Sequence, residues 1–143
     1  MQQFSGINAV VVYGGKIAEQ ATSGEMALLM PSLINLIQVL TTFFTSYLLT
    51  RFGRKILLLM GALLEGVACA IVMIGFFIKD DSSAGEALIL VGLFLFMAVF
   101  GLSLGPVVWL YIPEIVQPRI VPYSTASNWI SASIVIICFP ILT

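Results

Sequence analysis

The sequence predicts an all-α integral membrane protein, on the basis of its composition, its low charge and its long apolar segments. Of the 143 residues, 60% are hydrophobic and 9% are charged, and the mean hydropathy is +1.12. Soluble domains carry about 25% charged residues. A chain this apolar cannot hide its apolar surface inside one small water-soluble core. Soluble enzymes, secreted disulfide scaffolds and disordered tails are therefore excluded.

Five apolar segments, separated by charged residues, define the predicted order of helices. The predicted spans are 1–18, 26–50, 56–78, 87–113 and 120–143. A helix that crosses a bilayer needs about 20 apolar residues, and the last four segments reach that length. The first has a shorter apolar run, so we expect it to be the second half of a helix. The whole range 1–143 is thus expected to be one partial bundle of about five membrane helices.

The charged residues predict the orientation of the bundle. Arg51, Arg54 and Lys55 lie between the second and third spans, and Arg119 lies between the fourth and fifth. The positive-inside rule places these two loops in the cytoplasm. The opposite side carries Lys16, Lys79, Glu19, Glu25, Asp80, Asp81 and Glu86.

Charge and residue usage also exclude several kinds of site. Six basic and seven acidic residues leave a net charge of −1, so no basic surface is available to bind a nucleic acid. The chain has no histidine, which is the commonest general base and metal ligand. The sequence therefore predicts no metal and no cofactor. An intramembrane enzyme would also lack a nucleophile–base pair.

Amides inside the apolar segments indicate a site for a neutral polar ligand. Gln2, Gln3 and Asn8 lie in the first segment, and Asn35 and Gln38 share one face of the second. A side-chain amide donates and accepts hydrogen bonds, as sugar hydroxyls do. On a continuous helix, Gln3 and Asn8 would lie about 140° apart. Hydrogen bonding between helices is an equally good interpretation of these amides.

The fourth segment contains a Gly105-Pro106 pair, which predicts a kink or a break. Interrupted helices are tolerated where they line protein or a wet cavity, and transporters use them at substrate sites. Trp109 follows the pair, and Asn128-Trp129 repeats an amide and an indole in the last segment. An indole can stack on the apolar face of a pyranose ring. An ordinary packing kink and interfacial aromatic residues are the alternatives.

Glu65 places an acid in the middle of the third segment. An ionised carboxylate is costly there, so we expect it to be neutral, paired or facing water. Two roles fit: a protonated packing residue near an Arg or a Ser, and a proton relay.

Four motifs, in this order along the chain, carry a family resemblance. They are Gln2-Gln3-Phe4-Ser5-Gly6-Ile7-Asn8-Ala9-Val10, Arg51-Phe52-Gly53-Arg54-Lys55, Gly105-Pro106-Val107-Val108-Trp109 with Pro113-Glu114-Ile115, and Ser127-Asn128-Trp129. Together they resemble the C-terminal half of the sugar porters of the major facilitator superfamily. The resemblance implies that the chain supplies helices 7 (partial) to 11 of a porter with twelve helices.

The resemblance also implies roles for individual residues. The residues implied to bind substrate are Gln2, Gln3, Asn8, Gln38, Trp109, Asn128 and Trp129. The residues implied to gate are Tyr13 on the outer side and Arg51, Arg54, Lys55, Glu114 and Arg119 on the inner side. The sequence departs from the family pattern at Thr50, where an acid is usual, at Val12, where a gate tyrosine is usual, and at Pro113.

The function implied is transport of a hexose-like monosaccharide by alternating access, as a uniporter or a proton symporter. Its expected location is the plasma membrane. The expected partners are the sugar, membrane lipid, an N-terminal half in the same chain or in a separate polypeptide, and, for symport, a proton. The alternative is a transport-inactive half-porter, retained as a structural subunit of a larger membrane complex.

Overall fold

The protein is helical throughout the part of the chain that the computed structural model describes, which is residues 2–21, 25–79 and 82–142, without the side chains of 16–28 and 139–142. A 3₁₀ turn, Gln2–Ser5, precedes six α-helices. They are α1 (Ile7–Ala21), α2 (Glu25–Phe52), α3 (Arg54–Ile78), α4 (Ser83–Leu102), α5 (Leu104–Ile115) and α6 (Val121–Leu142). No strand occurs within these ranges. The predicted all-α class is confirmed.

Three described segments are long and apolar enough to cross a membrane: Leu29–Phe52, Arg54–Ile78 and Ser83–Ile115. The first helix, α1, has 15 residues and is therefore about 22 Å long, shorter than a hydrocarbon core of about 30 Å. The crossings expected for 1–18 and 120–143 stay predictions. Among the outer charges, Asp80, Asp81 and the side chains of Lys16, Glu19 and Glu25 lie outside the described residues.

Two glycines make the sharp turns that begin α1 and α3. Gly6 has a φ of 93° and Gly53 has a φ of 75°. Side chains other than hydrogen rarely tolerate this left-handed region. Gly6 separates the 3₁₀ turn from α1, so the first segment is not one continuous helix. Gly53 separates α2 from α3 and places Arg51 and Arg54 at neighbouring helix ends.

The fourth predicted span consists of two helices. Helix α4 ends at Leu102, α5 begins at Leu104, and Ser103 lies between them with a φ of −132° and a ψ of −93°. Pro106 then falls in the first turn of α5, where its missing N–H costs no hydrogen bond. If the helix continued through Ser103, the proline ring would clash with the carbonyl oxygen of Leu102, four residues earlier. The break therefore lies before the Gly-Pro pair rather than at it.

Helix α4 lies at the centre of the bundle. Half of an apolar 18-residue window within Ser83–Ile115 is buried, compared with 11% of the corresponding window within Leu29–Phe52. The buried core side chains of α4 are Ile89, Leu93, Phe96, Met97 and Phe100. Ile7 from α1, Ile34 from α2 and Ala68 from α3 complete the cluster. The outer faces of α2 and α3 expose large apolar side chains, as helices do when they face lipid or another apolar partner.

Helices α3 and α4 approach each other through glycine. A methyl group at Gly75 would lie 2.9 Å from the carbonyl oxygen of Gly85 and 2.9 Å from the backbone nitrogen of Ile89. Both separations are shorter than ordinary van der Waals contact. Small residues at such a seam allow backbones in a membrane to pack closely. Gly66, on the same helix, has open space beside it.

Candidate substrate site

A cavity of about 440 Å³ opens beside the 3₁₀ turn and is walled by α1, α2, α4, α5 and α6. Its lining contains Gln2, Gln3, Ile7, Asn8, Gln38, Thr42, Phe100, Gly105, Pro106, Trp109 and Trp129. Sites for small molecules occupy about 300–1,000 Å³, so the size fits such a ligand. Six of the seven residues that the sequence assigns to substrate therefore line one cavity, although they come from distant parts of the chain. The seventh, Asn128, contacts Gln2.

Gln2 ties the 3₁₀ turn to the break between α4 and α5. Its Nε2 donates to the backbone oxygens of Leu104 at 2.9 Å and Gly105 at 3.3 Å. Its Oε1 accepts from Asn128 Nδ2 at 3.5 Å. The Gln2 side chain is 6% exposed, and the protein already uses both ends of its amide. Gln2 therefore positions α5 and α6 around the cavity as well as lining it.

Gln3 and Asn8 form a second amide pair. Asn8 Nδ2 donates to Gln3 Oε1 at 2.5 Å, and Gln3 is 7% exposed. The separation of about 140° expected on a continuous helix is wrong, because the 3₁₀ turn and Gly6 redirect the chain between the two residues. No described residue accepts from the Gln3 Nε2. The pair thus presents a donor to the cavity.

Helix α2 contributes a polar residue that the sequence analysis missed. Thr42 lies one helical turn after Gln38 and lines the same cavity. Its Oγ1 donates to the backbone oxygen of Gln38 at 2.8 Å. The spacing of four residues, which puts both side chains on one helix face, was the signal that could have found it. A hydroxyl bound to its own helix keeps lone pairs available to accept from a ligand.

Two aromatic residues contribute to the cavity wall. Trp109 is 39% exposed and Trp129 is 61% exposed, and both line the cavity. An indole offers a flat apolar face and one N–H donor. The amides and the indoles together give the wall a mixed polar and apolar character.

The expected gate residues are only partly brought together. Arg54 Nη2 and Glu114 Oε1 form an ion pair at 2.5 Å, which joins α3 to α5. The Arg51 guanidinium lies 5.7 Å from the centre of the Tyr47 ring. Within the described ranges no ion pair joins Lys55 or Arg119, and both are exposed. A network of all these charges stays a prediction.

Tyr13 connects α1 to α6. Its hydroxyl donates to the backbone oxygen of Ile136 at 3.2 Å. The bond spans 123 residues, so it holds together helices that are far apart in sequence. An outer gate at this residue stays a prediction.

Comparison with known proteins identifies relatives along the whole chain. Residues 1–143 match the family described as "Sugar (and other) transporter". The glucose transporter GlcP of Staphylococcus epidermidis is 35% identical over 148 residues, covering 99% of this chain and 33% of its own length. The glucose facilitated diffusion protein of Zymomonas mobilis is 33% identical, covering 98% of this chain and 30% of its own length. The galactose-proton symporter of Escherichia coli is 32% identical, covering 94% and 30%.

The chain spans about a third of the length of these curated relatives. The family match nevertheless extends from the first residue to the last, and the helices are apolar enough to lie in a membrane. The resemblance to sugar porters is confirmed: the chain belongs to the sugar transporter family of integral membrane proteins.

Proposed function

We propose that this chain is part of a complete porter that moves a monosaccharide across the plasma membrane by alternating access. The 440 Å³ cavity is the C-terminal side of the sugar site. A second half, in the same polypeptide or a separate one, closes the site from the opposite side. Relatives named for facilitated diffusion and for proton symport both match the chain, so both modes of transport fit the family.

The observation that carries this proposal is the convergence of amides and indoles on one cavity. Gln3 and Asn8 present an amide pair to it, and Gln38 comes from another helix. A cavity with donors and acceptors but no charged lining residue favours a neutral ligand with several hydroxyls. Trp109 and Trp129 supply flat apolar faces for the ring of that ligand.

The ion pair at the inner ends of α3 and α5 supports the gating part of the proposal. Arg54 and Glu114 are 49% and 42% exposed, so their attraction is screened by water and contributes about 0–1 kcal/mol to stability. Such a pair biases one conformation without locking it. The pair breaks when α3 and α5 separate, and this lets the cytoplasmic side open.

The test is uptake of a labelled hexose by the full-length protein with Gln3→Leu. Loss of a buried hydrogen-bonding group costs about 1–3 kcal/mol, which corresponds to about a five- to 150-fold weaker affinity. Asn8 also loses its acceptor in this variant. The matched control is Gln117→Leu, the same change at an exposed residue between α5 and α6, which leaves affinity unchanged.

Unchanged uptake kinetics with Gln3→Leu would show that the sugar lies elsewhere. A native polypeptide of 15.5 kDa, the mass of this chain, would exclude a second half in the same polypeptide. If no separate half restored hexose uptake to it, the proposal of a complete porter would be contradicted. That outcome would favour the structural subunit of a larger complex instead.

A further inference from the structure

Glu65 is a buried acid that the sugar site does not use directly. It lies in the middle of α3 and is 3% exposed. Neither of its carboxyl oxygens has a hydrogen-bond partner within the described part of the chain. An ionised carboxylate without a partner is very unfavourable in a membrane interior. The carboxyl in this conformation is therefore neutral and carries a proton.

No described positive charge compensates Glu65. On its own helix and at its C-cap, the basic residues Arg54, Lys55 and Lys79 are 11, 10 and 14 residues away, which is about 16, 15 and 21 Å along the axis. The only other titratable group near it on α3 is the Cys69 thiol, one turn further on. The described charges of α2, α4 and α5 are Arg51, Glu86 and Glu114, which are exposed near helix ends. The side chains described for the 3₁₀ turn, α1 and α6 include no charge.

Ser5 of the 3₁₀ turn lies beside this part of α3, because it lines one cavity together with Cys69, one helical turn after Glu65. Its Oγ donates to the backbone oxygen of Gln2 at 2.9 Å, so the hydroxyl oxygen can still accept a hydrogen bond. A protonated Glu65 can donate to this oxygen, whereas a carboxylate could only accept from the Ser5 hydroxyl and would draw it away from the Gln2 oxygen. Ser5 also ends the 3₁₀ turn, directly before the left-handed Gly6.

The 3₁₀ turn connects this acid to the sugar cavity. Gln2 begins the turn, lines the cavity and binds the break before α5. Gln3 follows it and pairs with Asn8. A change in the bond at Ser5 therefore acts on a turn of four residues that carries two of the cavity amides. Ionisation of Glu65 would remove the carboxyl O–H that can donate to Ser5, and it would place a negative charge next to the 3₁₀ turn.

We propose that Glu65 is a proton-binding site coupled to sugar binding through Ser5 and the 3₁₀ turn, with the neutral carboxyl favouring the sugar. This inference rests on the sugar site proposed above. The proton step is an exchange with water: the carboxyl O–H bond breaks, a water molecule takes the proton, and the carboxylate stays on Glu65. Linkage is reciprocal, so bound sugar must raise the affinity of Glu65 for the proton by the same factor by which the bound proton raises the affinity for sugar.

The experiment compares the full-length wild type with Glu65→Gln, which imitates the neutral carboxyl, and with the matched control Glu86→Gln at an exposed acid. Hexose affinity is measured at about pH 5 and about pH 8, equal on both sides of the membrane. The wild type and Glu86→Gln are expected to bind about five- to tenfold more tightly at the acidic pH, at the low end of typical allosteric couplings. Glu65→Gln is expected to bind at both pH values as the wild type does at acidic pH.

An infrared measurement observes the proton without transport. The difference spectrum between acidic and alkaline pH should contain a protonated carboxyl band that Glu65→Gln lacks and Glu86→Gln retains. Added hexose should strengthen that band at intermediate pH in the wild type. In Ser5→Ala, the band should still titrate but respond less to hexose, because this variant lacks the hydroxyl that links Glu65 to the 3₁₀ turn.

Several results would overturn the inference. One is a Glu65→Gln variant that keeps the full pH dependence of the wild type. Another is a wild type whose affinity does not change with pH, or whose carboxyl band is the same in Glu65→Gln. A wild type that binds no hexose would instead refute the proposed function, and the coupling to sugar would be refuted with it. The infrared band would then decide separately whether Glu65 exchanges a proton.

Discussion

Replacing Gly75 by alanine is the sharpest test of how the bundle is packed. The new methyl group would lie 2.9 Å from the Gly85 oxygen, 2.9 Å from the Ile89 nitrogen and 2.8 Å from the Ile89 Cγ1. Carbon contacts are normally about 3.5–4.0 Å, so α3 and α4 must move apart locally by roughly half an ångström or more. Two of the three atoms belong to the backbone and cannot rotate away. Overpacking of this kind costs about 1–3 kcal/mol.

Gly66→Ala is the matched control, since Gly66 lies on the same helix with open space beside it. Both changes gain the helix propensity of alanine, about 0.8–1 kcal/mol in peptide hosts, so the difference between them isolates the contact with α4. We expect the Tm of the full-length protein in detergent to be lower for Gly75→Ala than for Gly66→Ala by at least about 2 °C. A thermal scan followed by the helical circular dichroism signal measures both. Equal Tm values would refute the close approach of α3 and α4.

Two further perturbations test other contacts. Arg54→Glu is expected to slow hexose uptake. The double variant Arg54→Glu with Glu114→Arg is expected to restore part of the uptake rate, because it rebuilds the ion pair with the charges exchanged. A double variant no faster than the single one would exclude a gating role for this pair. Thr45→Val removes a buried bond of 2.8 Å to the Gly101 oxygen and should destabilise the protein by about 1 kcal/mol, measured as a lower Tm. Thr50→Val, at an exposed residue, should have a smaller effect, and the reverse order would contradict this assignment.

The helical class and the position of the turn at Gly53 could be predicted because charges are rare in this chain. Except for Glu65 in the middle of α3, the described charged residues lie at or near helix ends, and the turn at Gly53 lies inside the charged stretch 51–55. The break at Ser103 was displaced by several residues from the expected position. A proline disturbs the residue four positions before it, so the helix ends ahead of the visible Gly-Pro signal.

The composition of the site could be predicted more fully than its geometry. The residue motifs named the cavity amides, but the helical wheel separated Gln3 from Asn8, because a periodicity argument cannot represent a left-handed residue such as Gly6. The role of Gln2 was also hidden, since one of its acceptors is a backbone carbonyl 102 residues away. Backbone acceptors have no side-chain signature in a sequence.

The separation in sequence of these bonds determines when the cavity can form during synthesis. Helices α3 and α4 are neighbours along the chain, and such a hairpin closes a short loop at little entropic cost. It can assemble as soon as both helices enter the bilayer. The bond between Gln2 and Asn128 joins residues 126 apart. The Gln2 amide therefore cannot make this bond until α6 has been synthesised. Within the described bundle, the cavity that we assign to the sugar is thus completed after the α3–α4 hairpin.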